Sequence, residues 1–282
     1  MLTAQQLIIG DTKIASAPDV YQKITKTIAD PTKNGEDLAV IINLDAGLAT
    51  RILSLVNSAF YSFATTITSV SHAISILGTK EINNLVLTTV VIERFSKNPN
   101  HFIPMSEFWS LSVKCALFSR ALAKQHKKPS KLSALYICGL LHRIGLIIIY
   151  SKLPELAQSA ILRSKNKGVS EVGAQKEILG FSYADVGGAL ALQWKLPEVI
   201  QVTLQNHLNP ELLTANAVES SIVCLARQLS EIDTSDKAQL AEFKAANKSL
   251  WVLAELDAAC LEEVLEEVDE SYLETYRMIY QG

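Results

Sequence analysis

The sequence has few of the residues that build disulfide or zinc frameworks. Its 282 residues include four cysteines and no C-x-x-C pair. Three of them, Cys115, Cys224 and Cys260, stand among apolar residues at helical spacing. A scattered set of this kind is typical of reduced thiols in a core, so we expect neither a disulfide framework nor a zinc site.

The sequence also lacks the features of a leader peptide or a membrane span. The first residues, MLTAQQLIIGDTK, contain neither a basic n-region nor a long apolar stretch, and the longest apolar run, 144–150, includes a glycine. A spanning helix needs about 20 consecutive, mostly apolar residues. We therefore expect no membrane association and a cytoplasmic location.

Several common enzyme signatures are missing as well. The chain has no G-x-x-x-x-G-K-[ST], G-x-G-x-x-G, G-x-S-x-G or H-E-x-x-H motif. No stretch alternates with the period of two that is typical of half-buried strands. Apolar residues instead recur at helical spacing, as at Val20, Ile24 and Ile28. The sequence predicts an all-α fold.

Residues with a preference for helix ends support this prediction. Pro18, Pro154 and Pro197 stand where first-turn prolines belong, and Gly78, Gly168 and Gly180 follow helical runs as left-handed caps would. Ser170 is predicted to open a helix, and Ser182 with Asp185 resembles a capping box.

Charge is distributed unevenly along the chain. No acid occurs between Glu107 and Glu155, whereas residues 249–282 carry nine acids against one arginine, a net charge of −8. The bland interpretation is that these charges lie on solvated helix faces. Nucleic acid binding by the basic stretch is an alternative, but we do not expect it, because aromatic interleaving and a reading helix are missing. Another alternative is that the acidic tail covers the basic stretch and regulates it.

Polar interruptions divide the chain into three parts. The segment SKNPNHFIPM, at about 96–105, separates two helical regions, and SEIDTSDKAQ, at 230–239, precedes an acidic helical segment. We predict an N-terminal helical subdomain at 1–97, a second helical subdomain at 98–232 and an acidic C-terminal helical extension at 233–282.

The most unusual local feature is a polar pair inside a very apolar helix, ICGLLHRIGLIIIY. His142 and Arg143 must find partners there, because unpaired buried polar groups are costly. A second histidine, His207, is predicted to end a helix that Pro197 begins.

Further segments accompany these residues. In the first half of the chain they are DLAVIINLDAGLATRILSLVNSAFY and ITSVSHAISILGTKEINNLVL, around Asn57 and Gly78. In the second half they are Phe108 with Trp109, GLLHRIG, LGFSYADVGGALALQWKLP and NHLNP. Together these segments resemble the HDOD family, the HD-related output domain of bacterial signalling proteins, which is similar to the HD metal-dependent phosphohydrolases. The resemblance covers roughly 10–230 and implies an N-terminal helical bundle packed on an HD-like helical domain.

The resemblance also indicates where the metal ligands of catalytic relatives would fall. The first histidine falls on Leu111, and the His-Asp pair falls on His142 and Arg143. A later histidine falls on Tyr183, and the Ala-Asp pair of the last helix falls on Ala226 and Arg227.

Only His142 and His207 survive of this set, so the resemblance implies a degenerate site without a metal or catalytic residues. Two histidines rarely hold a catalytic divalent ion, and two guanidinium groups would repel it. Asp185 is the one nearby carboxylate, and it is more simply explained as a helix cap.

Three interpretations of this vestigial site remain open. His142 and Arg143 could hydrogen-bond each other and Asp185 in a structural network. Arg143 and Arg227 could form a pocket for a nucleotide or another anion. Alternatively, His142, His207 and Asp185 could hold a metal for residual hydrolysis.

The function that we predict is a non-catalytic, cytoplasmic signal-transduction module without a cofactor. It would act in trans on a signalling protein partner or bind a small anionic ligand. The candidate ligand-binding residues are those of the vestigial site, His142, Arg143, Tyr183, Asp185, His207 and Arg227. The alternative is a metal-dependent phosphohydrolase acting on nucleotides or phosphoesters.

Overall fold

The structure is a computed structural model that describes residues 2–10, 12–58, 61, 63–96, 102–213 and 215–280. Within these residues the chain is helical and contains no strand, which confirms the all-α prediction. Short 3-10 turns lie at Pro129–Leu132, Pro210–Leu212 and Ala258–Cys260. In chain order, the helices are α1 (Ala4–Ile9), α2 (Thr12–Ala15), α3 (Asp19–Ala29), α4 (Gly35–Asn43), α5 (Ala46–Val56), α6 (Val70–Phe95), α7 (Met105–Gln125), α8 (Leu135–Leu141), α9 (Ile144–Lys152), α10 (Pro154–Lys167), α11 (Glu171–Leu179), α12 (Tyr183–Gln193), α13 (Glu198–Asn206), α14 (Ala217–Glu231), α15 (Lys237–Ala246), α16 (Lys248–Leu253) and α17 (Leu261–Tyr280).

The contacts divide the chain into two units. The larger unit comprises 1–16 and 98–268, and the smaller unit comprises 17–97 and 269–282. The sequence prediction placed one boundary at 97/98, where a boundary between the units also falls. It placed 1–16 with the N-terminal subdomain and 269–282 with the C-terminal extension, whereas the contacts assign the first segment to the larger unit and the second to the smaller unit. Of the predicted break at 96–105, residues 97–101 lie outside the described residues.

The core of the larger unit forms where α7 packs against α8 and α14, and where α12 packs against α9 and α13. Phe108 and Trp109 of α7 are fully buried there, with ring centroids 5.2 Å apart. Helix α8 lies so close to α7 that a side chain at Gly139 would place its Cβ 2.6 Å from the Cys115 carbonyl oxygen. Close packing of this kind fixes the orientation of the α8–α9 segment, which carries the His142–Arg143 pair.

The helix ends follow the capping chemistry that the sequence predicted. Ser170 accepts a hydrogen bond from the Gly173 backbone at the start of α11, and Ser182 and Asp185 form a reciprocal capping box at the start of α12. Gly168 and Gly180 cap α10 and α11 in the left-handed conformation, as predicted.

Proline positions and Gly78 differ in detail from the predictions. Pro154 is the first residue of α10, whereas Pro18 and Pro197 occupy the N-cap positions of α3 and α13, one residue earlier than first-turn prolines. Gly78 has a φ of 80° and a ψ of 161°, so it interrupts α6 with an extended geometry instead of capping it in the left-handed form. Only glycine adopts this conformation without strain.

The smaller unit contains α3 to α6, which pack on one another. Asn57, the residue at the centre of the first family segment, ends α5 and bonds to Ile67, ten residues further along the chain. Its side-chain amide donates to the Leu53 and Ile67 carbonyl oxygens at 2.8 and 2.7 Å, and its side-chain oxygen accepts from the Ile67 backbone at 2.7 Å. Three bonds from one side chain thus join Ile67 to the last turn of α5.

One segment, Leu135–Lys152, has the length and composition of a membrane-crossing helix. It is 83% buried within the fold and is broken at the His142–Arg143 turn between α8 and α9. Its apolar character is therefore that of a core segment. The helices Gly35–Asn43 and Ala46–Val56 are long and apolar enough to cross a membrane only when taken together, and they are bent by 118° relative to each other.

The acidic tail contacts the basic stretch at two points in the larger unit, as the alternative of a covering tail requires. The Lys124 ammonium lies 2.5 Å from a Glu267 carboxylate oxygen, and His126 Nε2 lies 3.2 Å from a Glu255 carboxylate oxygen. The cysteines are free thiols: Cys115, Cys138 and Cys224 are buried and Cys260 is half-buried.

Candidate functional site

The His142–Arg143 pair lies at the junction of two apolar helices. His142 is the C-cap of α8 and Arg143 is the N-cap of α9, so the backbone leaves one helix and enters the next within two residues. Every residue of α8 is buried, and so are the first seven residues of α9. A Cβ at Gly145 would lie 2.1 Å from the Tyr183 carbonyl oxygen, so α9 approaches the start of α12 very closely. The fold thereby brings Tyr183 to this junction.

Two histidines meet in the interior of the larger unit. His142 and His207 are 1% and 0% exposed, and their rings lie edge to face with centroids 5.7 Å apart. His207 is the C-cap of α13. The ring centroid of Tyr183, the first residue of α12, lies 5.8 Å from that of His207. The structure therefore brings together three residues that are 41 and 24 positions apart in sequence.

Hydrogen bonds assign the same tautomer to both histidines. His142 Nδ1 lies 2.7 Å from the Gly139 carbonyl oxygen, and His207 Nδ1 lies 2.9 Å from the Leu204 carbonyl oxygen. A carbonyl oxygen only accepts, so each Nδ1 carries the proton and each Nε2 of a neutral ring presents a lone pair. Neither Nε2 atom has a hydrogen-bond partner among the residues that the structure describes.

Both histidines are held neutral. Burial lowers the pKa of His142 well below its usual value, and the nearby His207, Arg143 and Arg227 act in the same direction. Burial, followed by the positive charge of Arg227, lowers the pKa of His207 to about 4. Desolvation and neighbouring cations both disfavour the charged imidazolium, so the rings bear no charge at neutral pH.

Arg143 is accompanied by a carboxylate that the sequence analysis missed. Its guanidinium nitrogen lies 3.9 Å from a Glu171 carboxylate oxygen, and its side chain is 11% exposed. Glu171 also accepts a hydrogen bond from the Tyr150 hydroxyl at 2.8 Å and one from the Gln175 amide at 3.2 Å. Gln175 in turn accepts from the Tyr183 backbone at 2.8 Å. Glu171 is the centre of a polar network at one side of the site.

Arg227 has a carboxylate of its own. It donates to Glu231, one turn further along α14, at 2.7 Å, and its side chain is 21% exposed. Burial raises the pKa of Tyr183, and the positive charges of Arg227 and Arg143 oppose that rise. Both cations therefore act on the same tyrosine, which places them around one site. The Nε atoms of both arginines are buried and have no partner among the described residues.

Asp185 caps its own helix, as the simpler interpretation predicted. Its carboxylate accepts from the Ser182 backbone and from the Ser182 hydroxyl, both at 2.7 Å. The alternative network, in which His142 and Arg143 bond each other and Asp185, is wrong for His142. Its Nδ1 is taken by the preceding helix and its Nε2 has no partner in the described part of the chain.

This donor set does not fit the divalent metal of HD phosphohydrolases. Among the described residues, no three His, Cys, Asp or Glu side chains lie close enough to share a metal ion. Catalytic metal sites need at least three protein ligands as a rule. The two available lone pairs, on His142 and His207, are instead flanked by the permanent cations Arg143 and Arg227.

Comparison with known proteins identifies the family and a relative of this chain. The sequence matches the HDOD domain over residues 14–210. An uncharacterised protein from Treponema pallidum (strain Nichols) is 26% identical over 196 residues, which are 70% of this chain and 38% of that protein. The chain thus spans well under half the length of this curated relative.

Solved structures with the same fold cover nearly the whole chain. An HDOD domain protein of unknown function from Geobacter sulfurreducens has a TM-score of 0.76 at 22% identity, covering 98% of this chain and 95% of that one. A protein from Shewanella amazonensis SB2B, named as a candidate phosphohydrolase, has a TM-score of 0.78 at 19% identity, covering 98% of both chains. At these identities the likeness concerns the fold, whereas the sequence match over residues 14–210 shows that this chain belongs to the HDOD domain family.

Proposed function

We propose that this chain is a non-catalytic, cytoplasmic regulatory module that acts by binding a signalling protein partner. The observation that supports this most directly is the pair of arginines in the vestigial site. Arg143 and Arg227 stand where the resemblance places metal-binding aspartates, and each is accompanied by a glutamate, Glu171 and Glu231. Two permanent positive charges therefore lie where a metal ion would have to bind.

A divalent ion would meet strong repulsion there. At a separation of about 6 Å and an effective dielectric constant of about 20, one uncompensated guanidinium group would repel a divalent ion by about 5.5 kcal/mol. The Glu171 and Glu231 carboxylates offset part of this repulsion. The neutral tautomers of His142 and His207 offer two lone pairs against this repulsion. Two imidazole ligands without a carboxylate do not balance the charge of the ion. Metal-dependent hydrolysis is therefore the weaker candidate.

The alternative ligand is a small anion, such as a nucleotide phosphate. It is favoured by one observation, namely that the buried Nε–H groups of Arg143 and Arg227 have no acceptor among the described residues. Phosphate oxygens are strong acceptors for guanidinium groups. Against it, each arginine already has a carboxylate for a neighbour, so an anion would have to compete with Glu171 and Glu231.

The first experiment measures the metal content of the purified chain together with its melting temperature in Mn²⁺, Mg²⁺ and a panel of nucleotides. We expect far less than one metal per chain, no shift with metals and no phosphoesterase activity. A stoichiometric metal that is lost in His142→Ala but kept in His72→Ala, together with hydrolysis of a phosphoester, would overturn the proposal. His72 is an exposed histidine of the smaller unit and so controls for nonspecific binding.

The nucleotide arm decides between a partner-binding and an anion-binding module. A ligand present at 100 times its Kd stabilises by about 2.7 kcal/mol, which corresponds to a rise of several degrees in Tm. An anion site requires a rise that disappears in Arg227→Ala and persists in Arg163→Ala. Arg163 is a suitable control because it also pairs with a glutamate, Glu177, and neither residue belongs to the vestigial site. No rise with any nucleotide supports the partner-binding module.

A further inference from the structure

Three tyrosines form a row along the C-terminal helix. Tyr272, Tyr276 and Tyr280 recur at every fourth residue of α17, in the part of this helix that belongs to the smaller unit. Neighbouring rings are stacked, with centroids 5.9 and 5.6 Å apart and interplanar angles of 29° and 20°. The helix therefore carries three aromatic rings at a regular spacing, which we call the tyrosine row.

The tyrosine row is not the buried side of the helix. That side consists of the residues that precede each tyrosine, namely Ser271, Thr275 and Ile279, which are 7%, 1% and 6% exposed. The three tyrosines are only half-buried, and Leu273, beside the first of them in the sequence, is 62% exposed. Tyrosine is among the residues that contribute most to binding at protein interfaces. The rings thus keep accessible surface of a kind that partner proteins use.

The charges beside the tyrosine row favour a cationic partner. Asp269, Glu270 and Glu274 are exposed in this part of α17. One exposed cation, Arg277, offsets one of these three carboxylates, so residues 269–280 carry a net charge of −2. Such a surface repels the phosphates of a nucleic acid, although aromatic rings could stack on its bases, and it attracts guanidinium and ammonium groups. A basic protein segment is the occupant that satisfies both the rings and the charges.

We propose that the tyrosine row docks a helix of the signalling partner that carries an arginine at every fourth position. A guanidinium group stacks on an aromatic ring, and it is more often arginine than lysine that does so. Four residues of an α-helix span about 6 Å, which matches the ring spacings of 5.9 and 5.6 Å. Three arginines can therefore lie against three rings at once. This inference rests on the proposed function, because it names the surface and the partner chemistry of the partner-binding module.

The test titrates two alanine-based helical peptides into the full chain, one with arginine and one with lysine at every fourth position. Nuclear magnetic resonance of ¹³C-labelled tyrosine rings follows the binding. We expect the signals of the tyrosine row to move and that of Tyr21, which is 3% exposed, to stay fixed. The Kd of the lysine peptide should be at least about threefold higher, because an ammonium group has no planar face to stack. Equal Kd values would overturn the proposal, because charge alone would then explain the binding.

Matched substitutions separate stacking from charge. Tyr276→Phe keeps the ring and should leave the Kd of the arginine peptide within about twofold, whereas Tyr276→Ala should raise it about three- to fivefold. The double variant Asp269→Asn/Glu270→Gln should raise it by a similar factor. Its control, Glu262→Gln/Glu263→Gln, removes the same charge from the first turn of α17 and should leave the Kd unchanged. If Tyr276→Ala does not fold, the comparison of the two peptides on the unmodified chain decides alone.

Other occupants of the tyrosine row would give different results. A single-stranded oligonucleotide that moves the same tyrosine signals would assign the row to nucleic acid and overturn the proposal. A dimer of the chain in sedimentation that is lost in Tyr276→Ala would assign it to a second copy, with the same consequence. Absence of peptide binding would also overturn the proposal. It would leave the proposed function standing, because metal content and hydrolysis are measured separately.

Discussion

Glu171 holds the polar network beside the vestigial site, so its removal should be costly. The Tyr150 hydroxyl, in a side chain that is 5% exposed, would lose its acceptor in Glu171→Ala, which costs about 1–3 kcal/mol. The Arg143 guanidinium would lose its neighbouring carboxylate. Because the Glu171 side chain is 34% exposed and the distance is 3.9 Å, screening limits that contribution to about 0.5–1 kcal/mol. The free energy of unfolding should therefore fall by about 1.5–4 kcal/mol in total.

Urea unfolding of Glu171→Ala and Glu177→Ala measures this difference. Glu177 lies on the same helix, α11, and pairs with Arg163 at the surface, with its own side chain 49% exposed. Exposed pairs contribute at most about 1 kcal/mol, so Glu177→Ala should cost less than that.

A double-mutant cycle then isolates the Tyr150–Glu171 bond. The coupling energy between Tyr150→Phe and Glu171→Ala should be about 1–2 kcal/mol, because burial, followed by the negative charge of Glu171, raises the pKa of Tyr150 and keeps it a donor. Equal losses for the two glutamates, together with a coupling energy near zero, would refute the assignment of Glu171 as the centre of this network.

Three further substitutions test other parts of the structure. A buried histidine whose pKa is about 4 in the folded chain and about 6.5 in the unfolded chain contributes stability above pH 6.5, and that contribution is lost as the pH falls toward 4. His207→Gln should therefore reduce the slope of unfolding free energy against pH in this window by up to about 1.4 kcal/mol per unit, and an unchanged slope would contradict the neutral, buried state of this ring. In Gly145→Ala the new Cβ would lie 2.1 Å from a carbonyl oxygen of α12, so this variant should yield little folded protein. In the control Gly187→Ala the new Cβ meets nothing closer than 3.8 Å, so this variant should show a normal helical circular dichroism spectrum. Asn57→Ala removes three hydrogen bonds and should lower the unfolding free energy by about 2–3 kcal/mol. A loss below about 0.5 kcal/mol would contradict a structural role for these bonds.

Local chemistry made much of the fold predictable. The capping box of Ser182 and Asp185 and the glycine caps of α10 and α11 depend on residues within four positions of one another, so the sequence contains all the information that they need. The assignment of the first sixteen residues to the larger unit could not be predicted in this way. It depends on the packing of α1 against α12 and on the Trp194–Ile14 hydrogen bond, which joins residues 180 positions apart.

The site shows the same division between local and distant information. The structure places His142 beside His207, a proximity that the family resemblance implied and that no local pattern contains. Glu231 was open to prediction, because it lies four residues after Arg227 on one helix face, a spacing that favours an ion pair. Glu171 could not be predicted in this way. It lies 28 positions after Arg143 and 21 positions after Tyr150, so its contacts with both residues depend on the tertiary packing that brings α11 close to α9.

These pairings mean that the arginines and glutamates of the site depend on one another. A buried cation is tolerated when a carboxylate lies beside it. When the cation is removed, the charge of that carboxylate is left uncompensated, which is destabilising. Replacing Arg143 by aspartate would therefore place two carboxylates, at 143 and 171, where one cation and one anion now lie, next to a histidine that has no charge to offer. The same holds for Arg227 and Glu231. Conversion between a metal-binding HD site and this self-neutralised site thus needs coordinated changes at several positions, since any single exchange leaves a charge uncompensated.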